Sequence, residues 1–353
     1  MYLWRRRESI GLPDISKESG GEMTTRADVA KLAGVSESTV SYVLSGKRPI
    51  SEGTRKRVQA AIEKSGYKSN YAAAALAGGT PRLVTMMISN LFNDPGSRII
   101  GTLVQGVVDG VKELGFHSVI WPVSEDDDAD TELLLKTNIS GGVILMNVGK
   151  NDQRVHLLHQ EKVPFVVLGR TDVGFKYNFV DRDFESRDRV ALQELKNLGH
   201  TQIGVMSFGM QQKPHLKKLA KSLDLTLHII PTINTYEGGI DIARDISKTF
   251  PQVTAIISML DLATMGFVER APTFGISIPE QISIIGLNML GSQAESVEPK
   301  ITTVAFEAYE MAKSCGKLLV EAVTGEKQTK PKEELWTGDL VIGGTLSHAR
   351  GSK

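Results

Sequence analysis

The chain has 353 residues, 41% of them hydrophobic and 23% charged, the make-up of ordinary soluble material and enough for two or three domains. No apolar run approaches the roughly 18 to 20 residues of a membrane span, and no N-terminal apolar segment ends in a small-residue cleavage site. A membrane partner is therefore excluded and a cytoplasmic location is the default. The formal net charge of zero argues against a nucleic-acid partner only on average. Residues 24–79 hold nine Lys and Arg against four acids, whereas residues 80–353 hold 28 against 33. A small basic head precedes a larger, mildly acidic body. One cysteine, Cys315, leaves no internal disulfide and reads as a small packed residue on a helix.

Residues 1–22, MYLWRRRESIGLPDISKESGGE, form a polar tail expected to be disordered, with Arg5-Arg6-Arg7 a solvated run rather than a phosphate contact. Met23, directly before TTRADVAKLAG, marks an alternative start. A first helix is expected near Arg26, because Thr25-x-x-Asp28 has the form of a capping box and puts Asp28 at the positive end of the helix dipole. Val29, Ala30, Leu32 and Ala33 give this helix one buried side, and Gly34 supplies the left-handed residue that ends it. Ser36 caps a second helix, Glu37 to Leu44, with Val40, Val43 and Leu44 on one face. Ser51 caps a third, in which Val58, Ala61 and Ile62 point inward and Ser65-Gly66 is the stop.

Two short helices set at a steep angle across a Gly-containing turn make a helix-turn-helix, whose second helix lies in the DNA major groove. The outward Glu37, Ser38, Ser41 and Tyr42 are candidate base contacts, and Ser36, Thr39 and Ser45 candidate phosphate contacts. Thr25 joins this DNA-binding set. The next run, YAAAALAGG from Tyr71, is helix-prone but too short to be stable alone.

The blocks DVAKLAGVSESTVSYVLSG, ISEGTRKRVQAAIEKSGYKSN and AAALAGG, in that order and spacing, resemble the headpiece of the LacI/GalR family of bacterial transcription regulators. The resemblance implies a hinge helix that orders on the operator, pairs with its copy in a second subunit and inserts a leucine into the minor groove. Leu76 holds that position, Ala73 lies one turn before it, and Asn70 caps the helix.

Downstream, β-rich runs starting at Leu83, His117, Gly141, Pro164, Gln202, Leu225, Val253 and Gln281 alternate with amphipathic helical stretches. This is the pattern of parallel sheets covered on both faces by helices. The segments GHTQIGV, ISIPEQISIIGLN and PKITTVAFEAYEMA extend the resemblance to about Ser347. They imply a core of two Rossmann-like, periplasmic-binding-protein-like subdomains with an effector at the carboxyl ends of the strands. The expected fold class is thus a small all-α helix-turn-helix headpiece (23–69), a hinge helix and linker (70–80), an α/β effector-binding and dimerisation core (81–347) and a short tail (348–353).

The pocket departs from the family's pattern. An arginine pair, in a pattern like ARxRLxGF, is replaced after GHTQIGV by the arginine-free GMQQKPHLKKLAKSL. Asn288 replaces a usual aspartate, Asn234 a usual aromatic and Phe306 a common glutamine, while Arg170, Asp183 and Asp261 match polar positions. With Asn90 and Tyr236 these make the candidate ligand set. Without charged bidentate donors the pocket cannot hold a sugar hydroxyl pair or a carboxylate in the usual way, so the effector is expected to be unusual or absent.

No G-x-S-x-G elbow, P-loop, H-E-x-x-H or cysteine cluster appears, so no enzyme activity, metal or cofactor is expected. His156 and His159 read as residues of a surface helix, and Gly141-Gly142 and Gly238-Gly239 as isolated pairs outside any dinucleotide fingerprint. The chain reads as a sequence-specific DNA-binding regulator, most simply a repressor. Its expected partners are double-stranded operator DNA, a second copy of itself, with a tetramer as the larger alternative, and a sugar or other metabolite as effector. The alternatives are a ligand-independent repressor or DNA-architectural protein, and a pure small-molecule binder, which the basic head argues against.

Overall fold

The computed structural model describes residues 24–45, 48–67, 81–89, 98–123, 129–137, 139–208, 214–325 and 330–350. They fall into two compact units, one before residue 80 and one after it. Asn70, Ala73, Leu76 and Asn90, named above as site candidates, lie outside the described residues, as does the side chain of Ser45.

The first unit contains α1 (Arg26–Ala33), α2 (Glu37–Ser45) and α3 (Glu52–Ser65). Val29, Ala30, Ala33, Val40, Val43, Val58 and Ala61 form its core, edged by Val35, Ile50, Ile62 and Tyr67. The Thr25 hydroxyl donates to Asp28 at 2.6 Å, and the Thr25 N–H reaches the same carboxylate at 2.8 Å. These bonds hold the Asp28 carboxyl below its usual range. At the other end of the unit, the Thr24 hydroxyl donates to the Ser65 carbonyl at 2.9 Å, tying the start of the first helix to the end of the third. Two expected core positions are corrected: Leu32 is 47% exposed and Leu44 36%. Three short helices enclose a core small enough for valines and alanines to fill, and the bulkier leucines one position away are turned outward.

The second unit is an α/β body. In chain order its elements are β1 (Leu83–Ser89), α4 (Arg98–Glu113), β2 (His117–Val123), α5 (Ala129–Thr137), β3 (Gly142–Met146), α6 (Gln153–Gln160), β4 (Phe165–Leu168) and β5 (Phe179–Arg182). There follow α7 (Phe184–Asn197), β6 (Gln202–Ser207), α8 (Pro214–Ser222), β7 (Thr226–Pro231), α9 (Tyr236–Thr249), β8 (Ala255–Ser258) and α10 (Asp261–Arg270). The unit closes with β9 (Ser283–Gly286), α11 (Gly291–Ala294), β10 (Thr302–Ala305), α12 (Ala308–Thr324), β11 (Glu333–Trp336) and β12 (Asp339–Val341).

Two six-stranded sheets result, in the orders β11-β5-β4-β3-β1-β2 and β12-β10-β9-β8-β6-β7. All pairings are parallel except β12 with β10. The chain passes between the sheets after β5, after β10 and after β11. In each sheet the strand order reverses, at β1 in the first and β6 in the second, and such a reversal opens a crevice at the carboxyl ends of the strands. The near-continuous burial of β1, β3, β4, β6, β8 and β9 is what helices on both faces impose. Strands β5, β11 and β12 fall outside the apolar runs picked out above, because their sequences FVDR, EELW and DLV mix charged with apolar residues.

Helices α4 and α12 pack backbone against backbone in the first sheet's outer layer. A side chain at Gly106 would come 2.9 Å from the Ala312 Cβ, one at Gly316 would come 2.8 Å from the Val107 carbonyl, and one at Gly110 would strike the Lys313 carbonyl. Cys315 sits in this layer fully buried, and burial pushes its thiol pKa up.

His200 pins the C-terminal segment to the second sheet. Its Nε2 donates to the Ser347 carbonyl at 3.0 Å, and its Nδ1 lies 2.9 Å from the Thr254 hydroxyl. A neutral ring satisfies both bonds, with the hydroxyl donating to Nδ1. Burial lowers the pKa from its usual 6.5. A depressed imidazole pKa contributes stability that is fully present above 6.5 and is lost as pH falls through the folded value. Melting temperature should therefore drop on acidification below about pH 6.5, and His200→Gln should remove that part of the pH dependence. An unchanged profile in the variant would assign the acid sensitivity elsewhere.

Candidate functional site

The first unit presents α2 on a scaffold whose turn is fixed locally. Gly34 adopts φ 64°, ψ 43°, a conformation open to glycine at little cost, and the Val35 N–H returns to the Ala30 carbonyl at 3.0 Å. Ser36 caps α2, its hydroxyl accepting from the Thr39 N–H at 3.2 Å and lying 2.7 Å from the Ser38 and 2.9 Å from the Thr39 hydroxyl. Ser36, Glu37 and Ser38 are exposed, and Thr39, Ser41 and Tyr42 half-buried. The helix thus turns a row of small hydroxyls outward at its positive end, where phosphate oxygens are favoured. Thr25, by contrast, is engaged in its own capping box.

Two contacts around α2 were not foreseen from the sequence. Glu37 lies 3.7 Å from the Arg26 guanidinium, so the first carboxylate of the helix faces a cation of α1. The Arg48 guanidinium sits 5.0 Å from the centre of the Tyr42 ring, a cation–π distance. No residue of α2 is basic, yet the tyrosine face brings a guanidinium beside it.

In the second unit, a cavity of about 540 Å³ opens at the carboxyl ends of the first sheet. Its wall is largely apolar, with Ile99, Ile100, Leu103, Phe184, Phe306 and Met311 among its residues, and its polar groups are Asn147, Arg170, Asp181 and Arg182. Arg154, 7% exposed, holds the loop carrying Asn147: it forks onto Asp152 at 2.9 and 2.7 Å and donates to the Asn147 carbonyl at 3.3 Å. Arg170 pairs with Asp181 at 2.8 Å.

The segment after β6 carries no arginine pair, and Arg170 is the one guanidinium expected at the cleft; the structure brings two more from other elements. Arg182 ends β5 and Arg187 lies in the first turn of α7, and both donate to the side-chain oxygen of Asn288, at 3.0 and 2.8 Å. Arg187 is 4% exposed and forks onto Asp188, which is fully buried and also takes the His215 Nε2 at 2.9 Å. Arg182 lies 4.8 Å from the Phe184 ring centre and 4.7 Å from that of Phe306. Burial, and then the neighbouring charge of Arg187, push its pKa down to about 10, so it remains a cation at neutral pH.

Of the ligand set read from the sequence, Arg170 and Phe306 line the cavity. The other described members of the set are bonded within the protein. Asp183 caps α7 by accepting from Ser186 at 3.0 Å. Asn234 and Gln293 donate to the two oxygens of Asp261 at 2.8 and 2.7 Å, and the Asn288 amide donates to the Met259 carbonyl at 3.0 Å. The Tyr236 hydroxyl donates to Glu269. No sequence periodicity marks Arg182, Arg187 or Gln293: Arg182 and Arg187 reach Asn288 from the end of β5 and from α7, and Gln293 reaches Asp261 between the helices that follow β9 and β8. His156 bonds to Asn151 at 2.9 Å and His159 stacks on Phe175 at 4.0 Å, as residues of the exposed side of α6. Among the described residues no cluster of three His, Cys, Asp or Glu is placed to hold a metal ion, and no helix is long and apolar enough to cross a membrane.

Comparison with known proteins gives a consistent picture. Residues 25–70 match the model of "Bacterial regulatory proteins, lacI family", and residues 192–346 that of a "Periplasmic binding protein-like domain". The chain is similar to the HTH-type transcriptional regulator CelR of Thermobifida fusca, with 28% identity over 89% of this chain and 96% of that one. It is also similar to the HTH-type transcriptional regulator MalR of Streptomyces coelicolor, with 26% identity over 94% and 99%. The solved structure of the Lac repressor dimer bound to operator and the anti-inducer ONPF superposes with a TM-score of 0.72 at 20% identity, covering 92% of this chain and 99% of that one, a likeness of fold.

Proposed function

The chain belongs to the lacI family of bacterial regulatory proteins and regulates transcription by binding DNA; from that premise we propose that it works in the cytoplasm as a homodimeric repressor, blocking a promoter whose operator it reads through α2. The observation that carries the reading is the capped α1–turn–α2 unit, with its row of exposed hydroxyls and basic surroundings. One headpiece covers one half-site, so two copies on an inverted repeat are the economical assembly. Ser36, Thr39 and Ser45 then contact phosphate, and Ser38, Ser41 and Tyr42 face base edges. The α/β body dimerises and senses a small molecule, and no enzymatic step is assigned to it. Operators selected by the full chain from random DNA should converge on an inverted repeat; a pool that fails to converge would refute sequence-specific reading.

Tyr42 sets one position of that repeat. A tyrosine offers a ring and one hydroxyl, whereas an arginine forks onto O6 and N7 of guanine and gives roughly 1–3 kcal/mol of discrimination. Tyr42→Arg should therefore move preference toward guanine at one symmetric pair of positions by about tenfold or more. It also removes the ring on which Arg48 rests, so neighbouring preferences should loosen. Identical selected sites for parent and variant would place base reading elsewhere on the helix.

A further inference from the structure

The cavity at the ends of the first sheet combines an apolar wall with one cation, Arg182, that has no ion-paired carboxylate among the described residues. Arg170 is paired with Asp181, and Arg187 with Asp188. Arg182 has, among the described residues, no carboxylate within ion-pair distance and one hydrogen-bond acceptor, the Asn288 oxygen. The rings of Phe184 and Phe306 lie against it, and aromatic faces stabilise a cation while accepting none of its in-plane N–H bonds. A guanidinium held in this way keeps an edge for a planar two-oxygen partner. Leaving a desolvated charge unpaired is costly, and the depressed pKa of Arg182 reflects that cost.

Charge sets the class of partner. Among the described residues that line the cavity, Arg170, Arg182 and Asp181 carry a net single positive charge, which Asp181 and Asp188 offset in part without an ion pair to Arg182. A monoanion neutralises it, whereas a phosphate dianion would leave a negative charge against a wall of isoleucine, leucine, methionine and phenylalanine. The volume of about 540 Å³ is of small-molecule size.

We infer that the effector of this regulator is a small monocarboxylic acid with an apolar body, its carboxylate held by the free edge of Arg182 and its body against Ile99, Leu103, Phe306 and Met311. The inference rests on the sensing role given to the body above and narrows it from metabolites in general to organic acids, away from neutral sugars.

The test uses the full chain at neutral pH, with melting temperature and titration calorimetry as readouts. The probes are hexanoate and phenylacetate, their uncharged counterparts 1-hexanol and 2-phenylethanol, and glucose and cellobiose. At least one acid should bind saturably and at least about tenfold more tightly than its alcohol, as a charge-assisted hydrogen bond requires. Arg182→Met, which keeps an apolar side chain between the rings, should abolish that preference, and Arg182→Lys, which keeps the charge and loses the fork, should retain part of it. Failure of both acids to bind, equal binding of acid and alcohol, tighter binding of a sugar, or an acid preference that survives Arg182→Met would each overturn the inference. Operator selection with the same unliganded preparation reports separately on the repressor reading, so either can fail while the other stands.

Discussion

Asp188→Ala is expected to destabilise the α/β body by about 3–5 kcal/mol, the usual cost of breaking a buried ion pair from one side. Asp188 is fully buried and takes two bonds from Arg187, which is 4% exposed. With the carboxylate gone, the Arg187 guanidinium retains the Asn288 oxygen as its hydrogen-bond acceptor in a site that is 4% exposed. His215, half-exposed, loses its partner too, at smaller cost because solvent can replace it. Urea unfolding followed by fluorescence should show a lower midpoint with little change in slope. Replacing both members of the pair, Arg187→Met with Asp188→Leu, should recover most of the loss, since apolar side chains of similar size often substitute for a buried pair without penalty. A single variant as stable as the parent would mean that the pair is hydrated in solution.

Operator affinity is expected to fall steeply with salt, with log K declining by about 0.9 for each phosphate neutralised against log salt. The head holds nine basic residues against four acidic ones, and a dimer brings two heads to one operator. If roughly six phosphates are engaged by the pair, affinity should drop about a thousandfold between 50 and 200 mM salt. The acidic body cannot produce such a slope, because its charges would repel the duplex. Fluorescence anisotropy of a labelled operator across that range measures the slope, and a flat response would rule out phosphate binding by the head.

The legible parts of this molecule are those that the chain settles within a few residues. Thr25 and Asp28, Gly34, Ser36 and Ser51 satisfy or end helices through bonds to near neighbours, so their chemistry can be read in order along the sequence. The apolar runs from Leu83 to Gln281 became strands for a similar reason: residues buried on both faces must be apolar throughout. The cleft was much less legible. Arg182 and Arg187 meet Asn288 across more than a hundred residues of chain, and nothing local distinguishes them from the exposed Arg189 nearby. Looking for guanidinium groups on one expected helix missed two that arrive from a strand end and another helix's first turn. Asn234 and Asp261, both read from the sequence as cleft positions, are hydrogen-bonded to each other, a pairing that spacing along the chain does not reveal.

The glycine contact between α4 and α12 has a bearing on which molecules the body can admit. Ile99, Ile100 and Leu103 belong to α4 and Met311 to α12, so one side of the cavity is built from two helices whose main chains already touch at Gly106, Gly110 and Gly316. Side chains elsewhere can rotate to accommodate a guest, but these helices can neither close further nor part without losing their contact along several turns. That side is therefore the stiff wall of the cavity, and any adjustment to a guest falls to the side chains that face it.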